Sequence, residues 1–206
     1  MKIYFIRHGE SLANTLHIIS NRNLPHPLTE KGRAQADQVV AALKGRPIER
    51  IYTSPVPRAV QTAHIHAEAL GVPFEVTDAL REYDLGEYEG RGDEEAWSAH
   101  SRFIRAWLEG RDRDQAPAGG ETFYDIQRRF VPFVEGLVRQ FGGTQAEVLC
   151  VAHGGLYRVG LPLVLSNLDF EFTRRSAPTH TTIVTAALQE DGRLTCENWE
   201  EVNRLP

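Results

Sequence analysis

Short strand-like runs alternate with helix-like runs along this chain, and that alternation limits the fold more than any other feature. Lys2 to Ile6, Ile51 to Thr53 and Val148 to Ala152 are apolar runs of strand length. Apolar residues recur at helical spacing from Thr29 to Leu43, and Thr29 is a suitable N-cap. Strands that alternate with helices form a mostly parallel sheet with helices on both faces. We therefore predict an α/β fold, a three-layer α/β/α sandwich around a mostly parallel central sheet.

The second half of the chain adds a helix and a hairpin to this pattern. Glu94 to Leu108 has apolar residues on one helical side. Thr181 to Leu188 and Leu194 to Trp199 flank an Asp191-Gly192 turn and predict a closing hairpin. With 206 residues, of which 41% are hydrophobic, the chain is long enough for one well-filled core. We predict a single domain over residues 1–206.

Charge and cysteine content exclude several classes of protein. The net charge of −5 and the pI near 5.9 argue against general binding to nucleic acid or to a membrane surface, because such proteins carry basic patches. No apolar stretch approaches the roughly 18 residues of a membrane span. Cys150 and Cys196 each lie in a strand-like run, which favours buried thiols in a reducing compartment. We predict a cytoplasmic protein.

Polar residues stand directly after three of the predicted strands. Arg7 and His8 follow the first strand, Ser54 and Arg58 follow the second, and His153 follows the third. Ligands of such sheets bind beyond the carboxyl ends of the strands. Two histidines and two arginines therefore converge at one edge of the predicted sheet.

This set of residues suits a phosphoryl group that is held while an imidazole attacks it. Guanidinium groups offer a planar fork that matches phosphate oxygens, and phosphoryl transfer needs positive charge around those oxygens. Neutral imidazole keeps a lone pair, so His8 needs no separate base. A helix start at Ser54-Pro55 would add free amides and a partial positive charge, and Gly154-Gly155 would let a second helix start approach the anion. The leaving alcohol needs a proton, and Glu82 is the candidate acid.

The motifs of this chain resemble those of the histidine phosphatase superfamily, also called the phosphoglycerate-mutase-like family. The central motif is Arg7-His8-Gly9-Glu10-Ser11 with Asn14. Further motifs follow in the family's order, and together they extend to about residue 165: Leu28-Thr29-Glu30-Lys31-Gly32, Ser54-Pro55 with Arg58-Ala59 and Gln61-Thr62, Leu80-Arg81-Glu82 with Gly86 and Glu89-Gly90, Gly119-Gly120-Glu121-Thr122, and Ala152-His153-Gly154-Gly155.

The resemblance implies a role for each matching residue. It implies that His8 is phosphorylated on Nε2, and that Glu82 first protonates the leaving oxygen and then takes a proton from the attacking water. It also implies chemistry without a metal or another cofactor. The phosphate pocket that it implies consists of Arg7, Arg58 and His153, with Asn14 as a further ligand.

Other positions concern the rest of the substrate. Ser20 and Asn21 align with substrate-contacting loop positions of relatives, and Gly154 lies at the second helix start. His180 stands where relatives more often carry Asn, so it is a candidate to add a polar group to the pocket. We interpret residues 91–120 as a lid or excursion over the site. His64 and His66 lie two positions apart, on different faces of a helix, and predict no metal site.

Three functions remain open from the sequence. The favoured one is a metal-independent phosphatase that hydrolyses small phosphate monoesters through a phosphohistidine. A phosphoglycerate mutase-type phosphotransferase would share the first step, but the stretch from Arg91 to Glu95 is mainly acidic where sugar-phosphate mutases are basic. A non-catalytic phosphometabolite-binding module would be marked by loss of a catalytic residue, and none is lost. The expected partner is a small phosphate ester, and a homodimer is expected from the resemblance alone.

Overall fold

The computed structural model of the protein describes residues 1–22 and 24–201, without the side chains of residues 200 and 201. Its strands are β1 Lys2–Arg7, β2 Ile48–Thr53, β3 Phe74–Val76, β4 Glu147–Ala152, β5 Thr182–Leu188 and β6 Leu194–Glu201. Its helices are α1 Leu12–Thr15, α2 Glu30–Leu43, α3 Pro57–Leu70, α4 Glu94–Leu108, α5 Phe123–Phe141, α6 Gly154–Val164 and α7 Phe170–Arg175. Two 3₁₀ turns, Asp78–Leu80 and Gly86–Tyr88, lie between β3 and α4.

In the described part of the chain, one sheet of six strands has the order β3-β2-β4-β1-β5-β6. The pairs β2–β3, β2–β4 and β1–β4 are parallel, whereas β5 pairs antiparallel with both β1 and β6. The predicted α/β fold with a mostly parallel sheet is therefore confirmed. The predicted hairpin is also present, and its first strand begins at Thr182 rather than Thr181.

Successive side chains of β1 enter two separate cores, as the two-residue period of a strand requires. Phe5 packs with α5 and α6, where its ring centroid lies 6.2 Å from Phe130 and 5.6 Å from Tyr157. Tyr4 and Ile6 face the opposite side and share a cluster with residues of α2 and α3. Helices therefore cover both faces of the sheet, which gives the three layers.

Helix α3 begins later than the sequence predicts. The expected start at Ser54-Pro55 is wrong, because α3 begins at Pro57 with Val56 as its N-cap residue. The amide of Ser54 still donates to the carbonyl of Val151 at 3.1 Å, so the chain continues the sheet ladder at this position. The second of the two nearby prolines, Pro57, takes the first helical position instead.

Helix α4 has the predicted bounds and is anchored in the larger core. Trp107 is fully buried, and Ile104 and Leu108 also belong to this core. The N-cap residue is Asp93, whose carboxylate accepts from the amide of Ala96 at 3.1 Å. A lid motion of residues 91–120 stays a prediction. No helix of residues 1–22 and 24–201 combines the length and apolar character that crossing a membrane requires.

Candidate active site

The segments after β1, β2 and β4 meet at one edge of the sheet, around a cavity of about 210 Å³. We call Arg7, His8 and Arg58, which line the cavity, together with the fully buried His153 that contacts Arg58, the strand-end wall. The parallel order β2-β4-β1 places the three segments side by side. Of the residues predicted from sequence, those that line the cavity are Arg7, His8, Asn14, Ser20, Asn21, Arg58, Glu82 and Gly154.

His8 is held in one tautomer by its two ring contacts. Its Nδ1 lies 2.7 Å from the carbonyl oxygen of Gly9, and a carbonyl only accepts, so Nδ1 carries the proton. Its Nε2 therefore carries the lone pair and accepts from Nε of Arg58 at 2.9 Å. Burial lowers the pKa of His8 well below its ordinary value, and the neighbouring Arg58 charge lowers it further. The imidazole is neutral at pH 7, with its lone-pair nitrogen beside a guanidinium.

Arg58 ties three segments together. Besides His8, its guanidinium donates to the backbone carbonyl of Ser20 and to Nδ1 of His153, the latter at 3.3 Å. Because Nδ1 of His153 accepts, its Nε2 carries the proton and donates to Oγ of Ser54 at 2.7 Å. Burial lowers the pKa of Arg58 to about 10, which leaves the group charged at neutral pH. The cavity therefore holds a fixed positive charge.

Arg7 and His180 form the side of the cavity nearest to Asn14. Arg7 donates to the carbonyl of Pro178 at 2.8 Å and lies 3.2 Å from Nε2 of His180. The same Nε2 is 3.1 Å from Oδ1 of Asn14. His180 thus contacts two predicted phosphate ligands, and its ring centroid lies 5.8 Å from that of His8. It contacts Arg7 and Asn14 but is not among the residues that line the cavity.

Glu82 binds to the start of α6 through both carboxylate oxygens. Oε2 accepts from the amide of Gly155 at 2.9 Å, and Oε1 accepts from the amides of Leu156 at 2.6 Å and Tyr83 at 3.1 Å. The prediction that Gly154-Gly155 offers its helix start to an anion is therefore wrong for the Gly155 amide, because Glu82 occupies it. Burial raises the pKa of Glu82, although the three amides favour the ionised form and oppose the rise. Glu82 is a buried carboxyl beside a cationic cavity.

Two glycines allow the loop after β1 to pack directly against α2. A Cβ on Gly9 would lie 2.2 Å from the carbonyl oxygen of Gly32, and a Cβ on Gly32 would lie 1.9 Å from that of Glu10. Thr29 caps α2 as predicted, since its Oγ1 accepts from the amide of Gly32 at 3.0 Å. This contact between backbones fixes the loop that carries His8.

The loop with Ser20 and Asn21 is held by a carboxylate whose role sequence reasoning missed. Glu89 accepts from the amide of Asn21 at 2.8 Å and from that of Leu85 at 3.0 Å. Oγ of Ser20 lies 2.8 Å from Nδ1 of His26. The signal was present, because Glu89-Gly90 belongs to the family motifs, but its function was not evident without the fold.

A further wall of the cavity comes from α4, which belongs to the segment interpreted as a lid or excursion, although none of its residues was predicted as a site residue. Trp97, His100 and Ile104, which we call the α4 wall, lie three and four positions apart and share one helical face. Nε1 of Trp97 donates to the carbonyl of His17 at 2.6 Å. The His100 ring stacks on Tyr83 with a centroid distance of 5.7 Å, and burial lowers its pKa to about 4. The spacing shows that the three residues share a face, but it does not show that this face meets the cavity.

The described residues contain no group of three or more His, Cys, Asp or Glu side chains arranged to hold a metal ion. His64 is exposed and lies 3.5 Å from Glu68, whereas His66 is fully buried on α3. The pair therefore does not converge on a common ligand. Chemistry without a metal stays a prediction from the resemblance.

Comparison with known families identifies the group to which this site belongs. The family model described as the histidine phosphatase superfamily (branch 1) matches residues 3–202. The chain belongs to this superfamily. Histidine phosphatases act on small phosphate esters, so the predicted family and its phosphatase class are confirmed.

Individual relatives of this histidine phosphatase differ in their reactions. The adenosylcobalamin/alpha-ribazole phosphatase of Salmonella typhimurium is 31% identical over 156 residues, which are 76% of this chain and 75% of the relative. A Yersinia pestis protein named "Probable phosphoglycerate mutase" is 29% identical over 154 residues, 75% of this chain and 70% of the relative. The solved structure of mycobacterial glucosyl-3-phosphoglycerate phosphatase has a TM-score of 0.79 at 27% identity, and the alignment covers 96% of this chain and 97% of that one.

Proposed function

We propose that this histidine phosphatase hydrolyses small phosphate monoesters through a phosphohistidine on Nε2 of His8. The observation that carries the proposal is the tautomer of His8. Its Nδ1 proton is bound to Gly9, so the lone pair lies on Nε2, which lines the cavity and accepts from Nε of Arg58 until the ester binds and takes over that donor. Nucleophilic attack by Nε2 forms a P–N bond and breaks the P–O bond to the alcohol.

The strand-end wall supplies the charge that this transfer needs. Arg7 and Arg58 flank His8 and present guanidinium groups to the phosphoryl oxygens, Asn14 adds a polar contact, and His153 helps to hold Arg58 in place through its Nδ1. The positive charge is present before the ester binds, so little reorganisation accompanies the transition state. The same charges oppose protonation of His8 and keep it nucleophilic.

Glu82 acts as acid and then as base. Its raised pKa increases the protonated fraction near neutral pH, and that proton goes to the leaving oxygen in the first step. The resulting carboxylate takes a proton from water, whose oxygen attacks phosphorus while the P–N bond breaks. Inorganic phosphate leaves, and His8 returns to its neutral form.

The ion pairs of Arg91 favour hydrolysis over transfer of the phosphoryl group to a second ester. This arginine is the first residue of the mainly acidic stretch from Arg91 to Glu95, where a mutase would need basic residues for a second anion. Its guanidinium donates to both carboxylate oxygens of Asp93 at 2.8 Å and to Glu95 at 2.5 Å. Arg91 is therefore already neutralised.

The substrate class follows from the charge and size of the cavity. A volume of about 210 Å³ between two guanidinium groups suits the phosphoryl end of a small ester. Relatives named for an alpha-ribazole phosphate and a glucosyl phosphoglycerate support phosphate monoesters of small alcohols.

The test is to trap the covalent intermediate. Wild-type protein is mixed in chelator with ³²P-labelled p-nitrophenyl phosphate and quenched in alkali, where phosphohistidine survives. We expect label on the wild type and on His64→Asn, the control at an exposed histidine of α3, and none on His8→Asn. Free phosphate release by the wild type supports hydrolysis. Interconversion of phosphoglycerates without release of phosphate would favour the mutase, and ester binding without label or product would favour the binding module.

A further inference from the structure

A second cavity opens from the candidate active site along α4. It has a volume of about 240 Å³ and lies between α4, α6 and α7. Three of its residues, His100, Ile104 and Arg158, also line the active-site cavity. The remaining lining residues are Ser101, Arg105 and Arg174. The two cavities are therefore neighbours that share one wall.

Arg158 stands at the junction of the cavities and has no directly bonded counter-ion among the described residues, although the carboxylate of Glu82 acts on its charge without a direct bond. Its Nε donates to the carbonyl of Thr173 at 3.2 Å and its Nη2 to the carbonyl of Arg174 at 3.4 Å. Both acceptors are neutral, and no carboxylate of the described residues forms an ion pair with Arg158. Burial lowers its pKa, which reflects the cost of keeping this charge away from water. An anion in either cavity would offset that cost.

Arg105 adds a second positive charge to the rim of this cavity. It is exposed on α4, and among the residues that the structure describes it forms no side-chain hydrogen bond or ion pair. The carboxylate of Glu109, one turn further along, bonds Arg111 instead. Arg174 does not contribute in the same way, because Glu171 accepts from it at 2.7 and 2.8 Å. Arg105, whose charge acts on Glu109 without a direct bond, and Arg158 thus leave this cavity with two guanidinium groups that no carboxylate of the described residues binds directly.

The shared lining of the two cavities lets one small molecule reach both. Arg158 lines the active-site cavity together with His8, and it also lines the second cavity, where Arg105 lies five positions after the shared His100, about 7.5 Å along the helix axis. An ester with its phosphoryl group at His8 therefore has Arg158 in the wall of the same cavity and Arg105 in the wall of the next.

We propose that the cavity around Arg158 and Arg105 is a second anion subsite, which selects phosphate monoesters that carry a further carboxylate or phosphate group. This inference rests on the proposed function. Guanidinium forks bind carboxylate and phosphate oxygens with the same bidentate geometry, so the subsite accepts either group. It selects the ester and does not determine whether water receives the phosphoryl group.

Two matched substrate pairs test the subsite. Glycerol 3-phosphate and 3-phosphoglycerate differ by a hydroxymethyl group in place of a carboxylate, and fructose 6-phosphate and fructose 1,6-bisphosphate differ by a second phosphate. In at least one pair, we expect kcat/KM to be about tenfold higher for the ester with the additional carboxylate or phosphate group, equivalent to about 1.4 kcal/mol. Arg158→Gln and Arg105→Gln should each reduce that preference. Arg102→Gln, an arginine of α4 outside both cavities, should keep it.

The variants and a binding measurement separate the two proposals. Arg105 is exposed, so its replacement tests the subsite even if Arg158→Gln fails to fold. Calorimetry on His8→Ala measures the Kd of the same four esters without turnover. A preference in Kd that both arginine substitutions abolish supports the subsite even if no ester is hydrolysed, in which case the proposed function alone fails. Equal affinity and equal kcat/KM within both pairs, or a preference that survives both substitutions, overturns the subsite.

Discussion

The two walls of the cavity are built in opposite ways. The strand-end wall consists of charged and polar groups that are tied to one another, and Arg58 alone bonds His8, His153 and the carbonyl of Ser20. The α4 wall presents Trp97, His100 and Ile104 from one helix and is joined to the N-terminal half by the hydrogen bond between Trp97 and His17. A tightly connected wall suits chemistry, and a wall from one helix suits selection of the substrate.

The largest effect is expected in the strand-end wall, where Arg58→Lys tests the connected guanidinium. An ammonium group cannot reproduce three bonds in fixed directions. We expect kcat/KM to fall by at least about 10³-fold, because both the charge beside the phosphoryl group and the position of His8 change. Steady-state kinetics measures the loss, and Arg102→Lys is the control on α4. Comparable activity of the two variants would contradict a special catalytic role of the strand-end wall.

Gly155→Ala tests how strictly Glu82 is held. A Cβ at this position would lie 2.8 and 2.9 Å from the Glu82 carboxylate oxygens and 2.3 Å from a ring carbon of Tyr83. Glu82 must then leave the start of α6, and we expect kcat to fall about 10²-fold through loss of general acid catalysis. In Gly143→Ala the added Cβ would meet nothing within 4 Å, so this variant should behave as wild type. A normal kcat in Gly155→Ala would show that the proton comes from another group.

His100 of the α4 wall should affect stability as a function of pH. Its pKa is lowered from 6.5 to about 4, so below pH 6.5 the unfolded chain takes up a proton that the folded protein does not. The contribution of His100 to the free energy of unfolding therefore decreases as the pH falls, by about 2 kcal/mol at pH 5. Urea unfolding at pH 8 and pH 5 measures this change. Between the two pH values, the free energy of unfolding should decrease less for His100→Phe than for the wild type. The exposed control His64→Phe should show the same decrease as the wild type. An equal decrease in all three proteins would contradict a contribution of His100.

Trp97→Ala should have the smallest effect, and it should change KM and not kcat. It removes the bond to His17 and part of the α4 wall, but none of the groups that face the phosphorus. We expect KM to rise about tenfold while kcat changes little, as for a contact that binds ground state and transition state equally. Trp97→Phe keeps an aromatic ring and isolates the contribution of the indole N–H. A fall in kcat without a change in KM would place α4 among the groups that act in the transition state.

The strand-end wall could be predicted from the sequence because the position of each residue follows from the strand next to it in the chain. Each of Arg7, His8 and His153 directly follows an apolar run, and parallel strands bring their carboxyl ends together. The placement of Glu82 on the amides of Gly155 and Leu156 joins positions more than 70 residues apart, so no local pattern could predict it. The role expected of the Gly155 amide was wrong for the same reason.

The residues of the α4 wall were missed, although the bounds of the helix were predicted correctly and the helix lies in the segment interpreted as a lid or excursion. Periodicity shows which residues share a face, but the face that meets the cavity depends on how α4 docks through Trp107 and Leu108. The start of α3 was misplaced because Ser54 and Pro55 look like a helix start, whereas the Ser54 amide belongs to the sheet ladder. Local propensity lost to tertiary pairing in that case.

The contact between Gly9 and Gly32 restricts how this protein can be altered by mutation. Each glycine packs against backbone atoms of the other segment, so no change of rotamer can make room for a larger residue. A second mutation among neighbouring side chains cannot rescue the first, since no side chain causes the clash. In a library of variants, these two positions should remain glycine, while positions on α4 accept replacements that redirect specificity.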